Sequence, residues 1–130
     1  MVNTPSYKIA VVDDDKDILY ALRRIIERCG HTVYTADSVA SGTDLLNSVN
    51  PDIVFCDMRL REGLSGEDFL GYVTEHHPNT GIVMMSCSMP YSDKRRLESG
   101  GALACLQKPF FGNDCKQVIS LHTGNTALAA

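Results

Sequence analysis

The chain has 130 residues, 44% of them hydrophobic and 22% charged, and a formal net charge of −4. That length suits one domain, which buries roughly two-thirds of its unfolded surface and stands without staples. The acidic balance speaks against broad nucleic-acid binding, which carries a basic surplus, and no apolar run approaches the roughly 18 residues of a membrane span.

The opening MVNTPSYK lacks the charged and apolar regions of a secretory signal, so a cytoplasmic, non-membrane protein is expected. Cys29, Cys56, Cys87, Cys105 and Cys115 are odd in number, far apart and without a C-x-x-C pair. They read as reduced thiols, four of them in or beside apolar stretches and serving as small buried hydrophobes.

Lys8 to Val12, KIAVV, is a β-branched run that ends in Asp13, Asp14 and Asp15, and predicts a buried strand terminating in carboxylates. From Asp17, the residues Ile18, Leu22, Ile25 and Cys29 recur at helical spacing until Gly30 closes the helix; Asp15 or Asp17 supplies its cap. Thr32 to Ala36, TVYTA, predicts the second strand. Asp37 or Ser38 then caps a helix through Val49 that Asn50-Pro51 ends.

Pro51-Asp52 leads into Ile53, Val54, Phe55 and Cys56, a continuous apolar run expected of a strand buried on both faces, and Asp57 ends it. Arg59 to Gly66 form a loop, and Glu67 to His76 a helix burying Phe69, Leu70 and Val73, ended by His77-Pro78-Asn79. Gly81 to Ser86, GIVMMS, is the fourth strand, with Met84 and Met85 as core filler. Pro90 suits the first turn of a weakly apolar helix to Ser99 that carries Lys94, Arg95 and Arg96. Ala102 to Gln107 is the fifth strand, followed by Lys108-Pro109. Asn113 or Asp114 caps a last helix, and the tail HTGNTALAA frays.

Strands alternating with helices in this way imply an α/β fold: a doubly wound five-stranded parallel sheet with right-handed crossovers and helices on both faces. The strand ends then share one edge, which gathers Asp13, Asp14, Asp57, Ser86 and Lys108. Taken singly, these residues have ordinary structural roles, since Asp caps helices, Ser closes turns and Lys solvates loops. Their occurrence at four strand ends together points to a site.

Crowded carboxylates raise at least one pKa or demand a cation. Magnesium, which takes oxygen ligands and keeps several waters, is the economical answer. Asp13 and Asp14 supply carboxylates, and Asp57 keeps a free oxygen able to attack a phosphoryl group. Such transfer rests on positioning and charge stabilisation, so a lysine and a hydroxyl are the expected partners; Lys108 and Ser86 fit.

With these residues in place, the stretch from about Lys8 to His122 resembles the receiver domain of two-component response regulators, the family of the chemotaxis regulator. The acidic pair matches Asp13 and Asp14 in VVDDD, and the phosphoacceptor matches Asp57 in IVFCDMRL. The strand-four hydroxyl matches Ser86 in IVMMSCS, and the strand-five lysine matches Lys108 in CLQKPF. The resemblance implies a single domain over residues 1–130, with a core of about 8–122, and the flavodoxin-like strand order 2-1-3-4-5. It implies a signalling domain that catalyses only its own phosphorylation and dephosphorylation. A histidine kinase or phosphotransfer protein would be the phosphoryl donor, and the Arg59 carbonyl a further magnesium ligand. It also implies a cis Lys108-Pro109 bond. The face of helix four, strand five and helix five becomes the candidate for partner contact or a homodimer, with no direct nucleic-acid binding.

Three features depart from that family's pattern. Arg61 stands where a proline is usual, and Gly66 comes nine positions after Asp57 where the family has a glycine at eight. Cys105 replaces an aromatic residue that swings inward on activation, which predicts a shallower rearrangement. Cys87 is larger than the usual Ala or Gly and is expected to narrow access to the site. Asp13 to Ile18 also resembles the opening of haloacid-dehalogenase phosphatases, with Asp13 as nucleophile and Asp15 as acid/base. That alternative lacks the later acidic pair those enzymes need and leaves Asp57 unexplained. A flavin binder would need a Ser, Thr and Gly-rich phosphate loop where repelling aspartates stand.

Overall fold

The computed structural model describes residues 5–60 and 65–123. Strands β1 (Lys8–Val12), β2 (Thr32–Ala36), β3 (Ile53–Asp57), β4 (Gly81–Ser86) and β5 (Ala104–Gln107) alternate with helices α1 (Lys16–Arg28), α2 (Val39–Val49), α3 (Gly66–His76), α4 (Tyr91–Ser99) and α5 (Gly112–Thr123). The strands form one parallel sheet in the order β2-β1-β3-β4-β5, as expected.

Because side chains alternate across a strand, each central strand feeds two cores. Val12, Val54, Cys56, Ile82 and Met84 pack against Leu46 of α2, Phe69 and Val73 of α3, and Leu97 of α4. Ile9, Val11, Phe55, Val83 and Met85 pack on the opposite face against Leu22 and Ile26 of α1 and Val118 and Ile119 of α5. β3 is buried along its whole length, which is why its sequence is a continuous apolar run rather than an alternating one. Met84 and Met85 are both fully buried, one in each core.

Local chemistry sets the helix ends. Asp15 caps α1 by accepting from the Asp17 and Ile18 N–H groups, and Ser38 caps α2 through a reciprocal bond with Ser41. Gly30, at φ 96°, ends α1 as expected. Several boundaries differ from the sequence expectation: α3 begins at Gly66 rather than Glu67, Pro90 is the N-cap of α4 rather than part of its first turn, α5 runs to Thr123 into the expected tail, and the starts of β5 and α5 shift. β5 begins at Ala104 rather than Ala102, because the Ala102 N–H donates to Leu97 O and the Gly101 N–H to Glu98 O. With Gly101 at φ 112°, this is a Schellman closure of α4 that occupies Ala102. α5 begins at Gly112, and Asp114 lies inside its first turn, where its carboxylate accepts from the Phe111 N–H at 2.8 Å.

All five cysteines are free. Cys56, Cys105 and Cys115 are buried, Cys29 half-buried and Cys87 exposed, so the expected hydrophobe role holds fully for three. Burial pushes the Cys105 thiol up to about 11 and the Cys115 thiol to about 12. No described helix is long and apolar enough to cross a membrane. The departure at Arg61 and the tail beyond Thr123 lie outside the described residues.

Candidate functional site

Parallel strands bring their carboxyl ends to one edge, and the register there is tight. Val12 pairs with Cys56, Asp57 with Met85, and Ser86 with Gln107. Asp13 and Asp14 follow β1 directly, Asp57 ends β3, and Ser86 ends β4. The Lys108 N–H donates to Ser86 O at 2.7 Å and carries the ladder one residue beyond β5. The Lys108-Pro109 peptide is cis.

This edge places two acids inside the protein. Asp13 is completely buried and Asp57 is 8% exposed. The Lys108 ammonium enters between them and donates to Asp13 Oδ2 at 2.8 Å and to Asp57 Oδ2 at 3.3 Å. The remaining carboxylate oxygens accept from backbone: Asp13 Oδ1 from the Asp15 N–H at 2.9 Å, and Asp57 Oδ1 from the Arg59 N–H at 3.2 Å.

One ammonium does not compensate two buried carboxylates. Burial pushes the Asp57 carboxyl above its ordinary range; the Arg59 N–H bond opposes this, the Asp13 charge adds to it, and Lys108 offsets it only in part. For Lys108, burial favours the neutral amine, but the bonds and charges of Asp13 and then Asp57 outweigh it and hold the ammonium above its usual value. Cys56, just before Asp57, is pushed far upward by burial and then by the two aspartates, which makes it an inert thiol.

Ligand oxygens of Asp13, Asp14 and Asp57 lie within 4.8 Å of one another. A compact set of hard carboxylate oxygens, with an uncompensated negative charge, fits a hard divalent cation.

Ser86 is 6% exposed, and its Oγ accepts from the Ser88 N–H at 3.3 Å. The same loop is held by the Met89 N–H donating to Gln107 Oε1 at 3.4 Å. Gln107 was not legible as part of the site, since a polar residue closing an apolar strand is the ordinary pattern. Cys87 stands exposed on the wall of a groove of about 400 Å³ that also includes Ile18, Leu22, Lys108 and Phe110. Cys105, where an aromatic switch was expected to be missing, is 9% exposed and belongs to the core beneath α4.

The shifted glycine keeps a clear structural task. The Gly66 N–H donates to Met58 O at 3.0 Å, and a Cβ at this position would collide with the Asp57 carbonyl oxygen and lie 2.8 Å from Met58 Cα. Only glycine lets the start of α3 rest on the backbone of the strand-end aspartate.

The model of the response regulator receiver domain matches residues 9–120. The chain belongs to that family. Among curated relatives, this receiver domain is 30% identical over 100 residues to the DNA-binding transcriptional regulator NtrC of Escherichia coli, covering 77% of this chain and 21% of NtrC. It is 30% identical over 102 residues to the response regulator protein PilR of Pseudomonas aeruginosa, covering 78% and 23%. The receiver domain thus spans less than a quarter of the length of either relative. Among solved structures, NtrX from Brucella abortus superposes with a TM-score of 0.87 at 27% identity, over 96% of this chain and 29% of that one. The phosphatase reading finds no support, and the Asp15 carboxylate it required as acid/base is engaged as the α1 cap.

Proposed function

We propose that this receiver domain accepts a phosphoryl group on Asp57 from a phosphohistidine of a histidine kinase or phosphotransfer protein. The observation that carries the reading is the grouping of Asp13, Asp14 and Asp57 oxygens within 4.8 Å, with the Lys108 ammonium bonded to two of those acids. An Asp57 carboxylate oxygen forms the P–O bond while the P–N bond of the donor breaks, and the departing imidazole keeps the electron pair.

Asp13, Asp14, Asp57 and the Arg59 carbonyl would hold magnesium, which when bound supplies the positive charge that offsets the carboxylates and the phosphoryl oxygens. Lys108 supplies a second cation from β5. The Ser86 hydroxyl, which accepts from the Ser88 N–H, donates its own proton in a hydrogen bond to a phosphoryl oxygen. The phosphoryl group carries about −1.5 to −2 where the carboxylate carried a single negative charge, and this change in charge and bulk then biases the loop after β4 and with it the face of α4, β5 and α5, where partners dock.

Labelling with acetyl phosphate tests this. Asp57→Asn is expected to abolish hydroxylamine-labile label with the fold intact, and Asp14→Ala to weaken magnesium binding at least about ten-fold, read by calorimetry or nuclear magnetic resonance. Label that persists on Asp57→Asn and is lost on Asp13→Asn would overturn the assignment.

A further inference from the structure

α4 is held in place by very little. Of its residues only Leu97 is buried, and Pro90 at its N-cap offers no side-chain cap bond. Next to that single anchor stands Arg96, whose guanidinium reaches across to α3: Nε donates to Glu67 Oε2 at 3.0 Å and Nη2 to Glu67 Oε1 at 3.1 Å. Its Nη1 donates to Asp93 Oδ1 at 2.8 Å within α4. Two parallel bonds from one guanidinium to one carboxylate fix direction as well as distance. The Glu67 end is itself anchored, because the preceding Gly66 is bonded to Met58 O and rests on the Asp57 carbonyl.

Two routes therefore join Asp57 to α4. One runs from Ser86 through the loop held by Ser88 and Met89. The other runs from the Asp57 backbone through Gly66 and Glu67 to Arg96. We propose that the Glu67–Arg96 clamp is a resting-state latch that holds α4 against α3 and opposes the displacement driven through Ser86. The latch rests on the phosphoacceptor reading for what drives it. A contact made in one state and broken in the other biases the equilibrium by its full free energy. A helix with one buried side chain has few other contacts to mask that bias.

Beryllofluoride titration with magnesium tests the latch in Glu67→Gln, Arg96→Gln and the double variant, followed by chemical shifts. Either single change opens the latch, so both are expected to tighten beryllofluoride binding about two- to five-fold, the scale of an exposed ion-pair network, and the double variant no further than the stronger single. Through-space charge alone predicts opposite signs: losing Glu67 would tighten binding of an anion and losing Arg96 would weaken it. Opposite signs, additive effects or unchanged affinities overturn the latch.

Amide exchange without beryllofluoride separates the two readings. Glu67→Gln leaves the Asp93–Arg96 pair in place, and it is expected to speed exchange over residues 94–99 about two- to five-fold; unchanged exchange there also overturns the latch. Should the unaltered protein take up no beryllofluoride, the phosphoacceptor reading falls and the exchange result alone decides the latch.

Discussion

Lys108 and Asp13, 95 positions apart in the chain, are joined by a 2.8 Å bond from Nζ to Oδ2 at the carboxyl edge of the sheet. The acid is fully buried and the lysine side chain is 13% exposed, so this pair is shielded from the solvent that makes surface ion pairs weak.

Removing the ammonium leaves crowded carboxylates without a cation. Lys108→Met is expected to lose about 1–3 kcal/mol of stability in EDTA, less than the cost of breaking a wholly buried pair because solvent reaches the rim of the site. Millimolar magnesium is expected to restore much of that loss through binding to the folded state. Urea melts with and without magnesium check this, and equal destabilisation in both conditions contradicts it. In the unaltered protein the Lys108 pKa is raised above its ordinary 10.5. Its share of stability is therefore complete below about pH 10.5 and lost as the pH climbs through the raised folded value.

Asp57 works in the opposite sense for stability. Its carboxyl is raised above the ordinary 3.8, chiefly by burial. Relative to the protonated acid, the folded state is penalised as the pH rises above the ordinary 3.8, and the penalty is complete once the pH has passed the raised folded value. Asp57→Asn is neutral at every pH and retains an oxygen for the Arg59 N–H. It is expected to gain on the order of 1 kcal/mol at pH 7 without divalent metal, the gain shrinking toward pH 4. Urea denaturation across that range reads the slope, and a gain independent of pH counts against it.

Gly66→Ala forces a methyl group into the Asp57 carbonyl. Backbone on both sides leaves no side chain to yield, so a loss of about 1–3 kcal/mol is expected, with amide protection falling first over residues 66–69. Gly71→Ala is the control, since nothing lies within 4 Å of a Cβ there; it is expected to be neutral or slightly stabilising in a helix interior. Equal effects at the two positions would show that the close approach at Gly66 carries no strain.

Much of this protein was determined by local chemistry and is legible along the chain. Buried parallel strands must be apolar runs, so KIAVV, IVFC and GIVMM announced themselves, and acids placed directly after such runs land at the sheet edge whatever the details of packing. Choices between neighbouring cap residues were not legible. Asp37 and Ser38 are both good caps, and it is Ser38 whose side chain accepts from the Ser41 N–H, with the Ser41 hydroxyl completing the capping box. The Ala102 boundary was hidden for a similar reason, since its N–H was claimed by the end of α4 before the strand could begin. Tertiary structure alone decided which oxygen of Asp13 and Asp57 receives Lys108, that a glycine nine positions after Asp57 still meets its carbonyl, and that Arg96 closes on Glu67 across 29 positions. Those contacts depend on distances between elements, which are set by how two cores fill on either face of the sheet, and no periodicity along the chain encodes them.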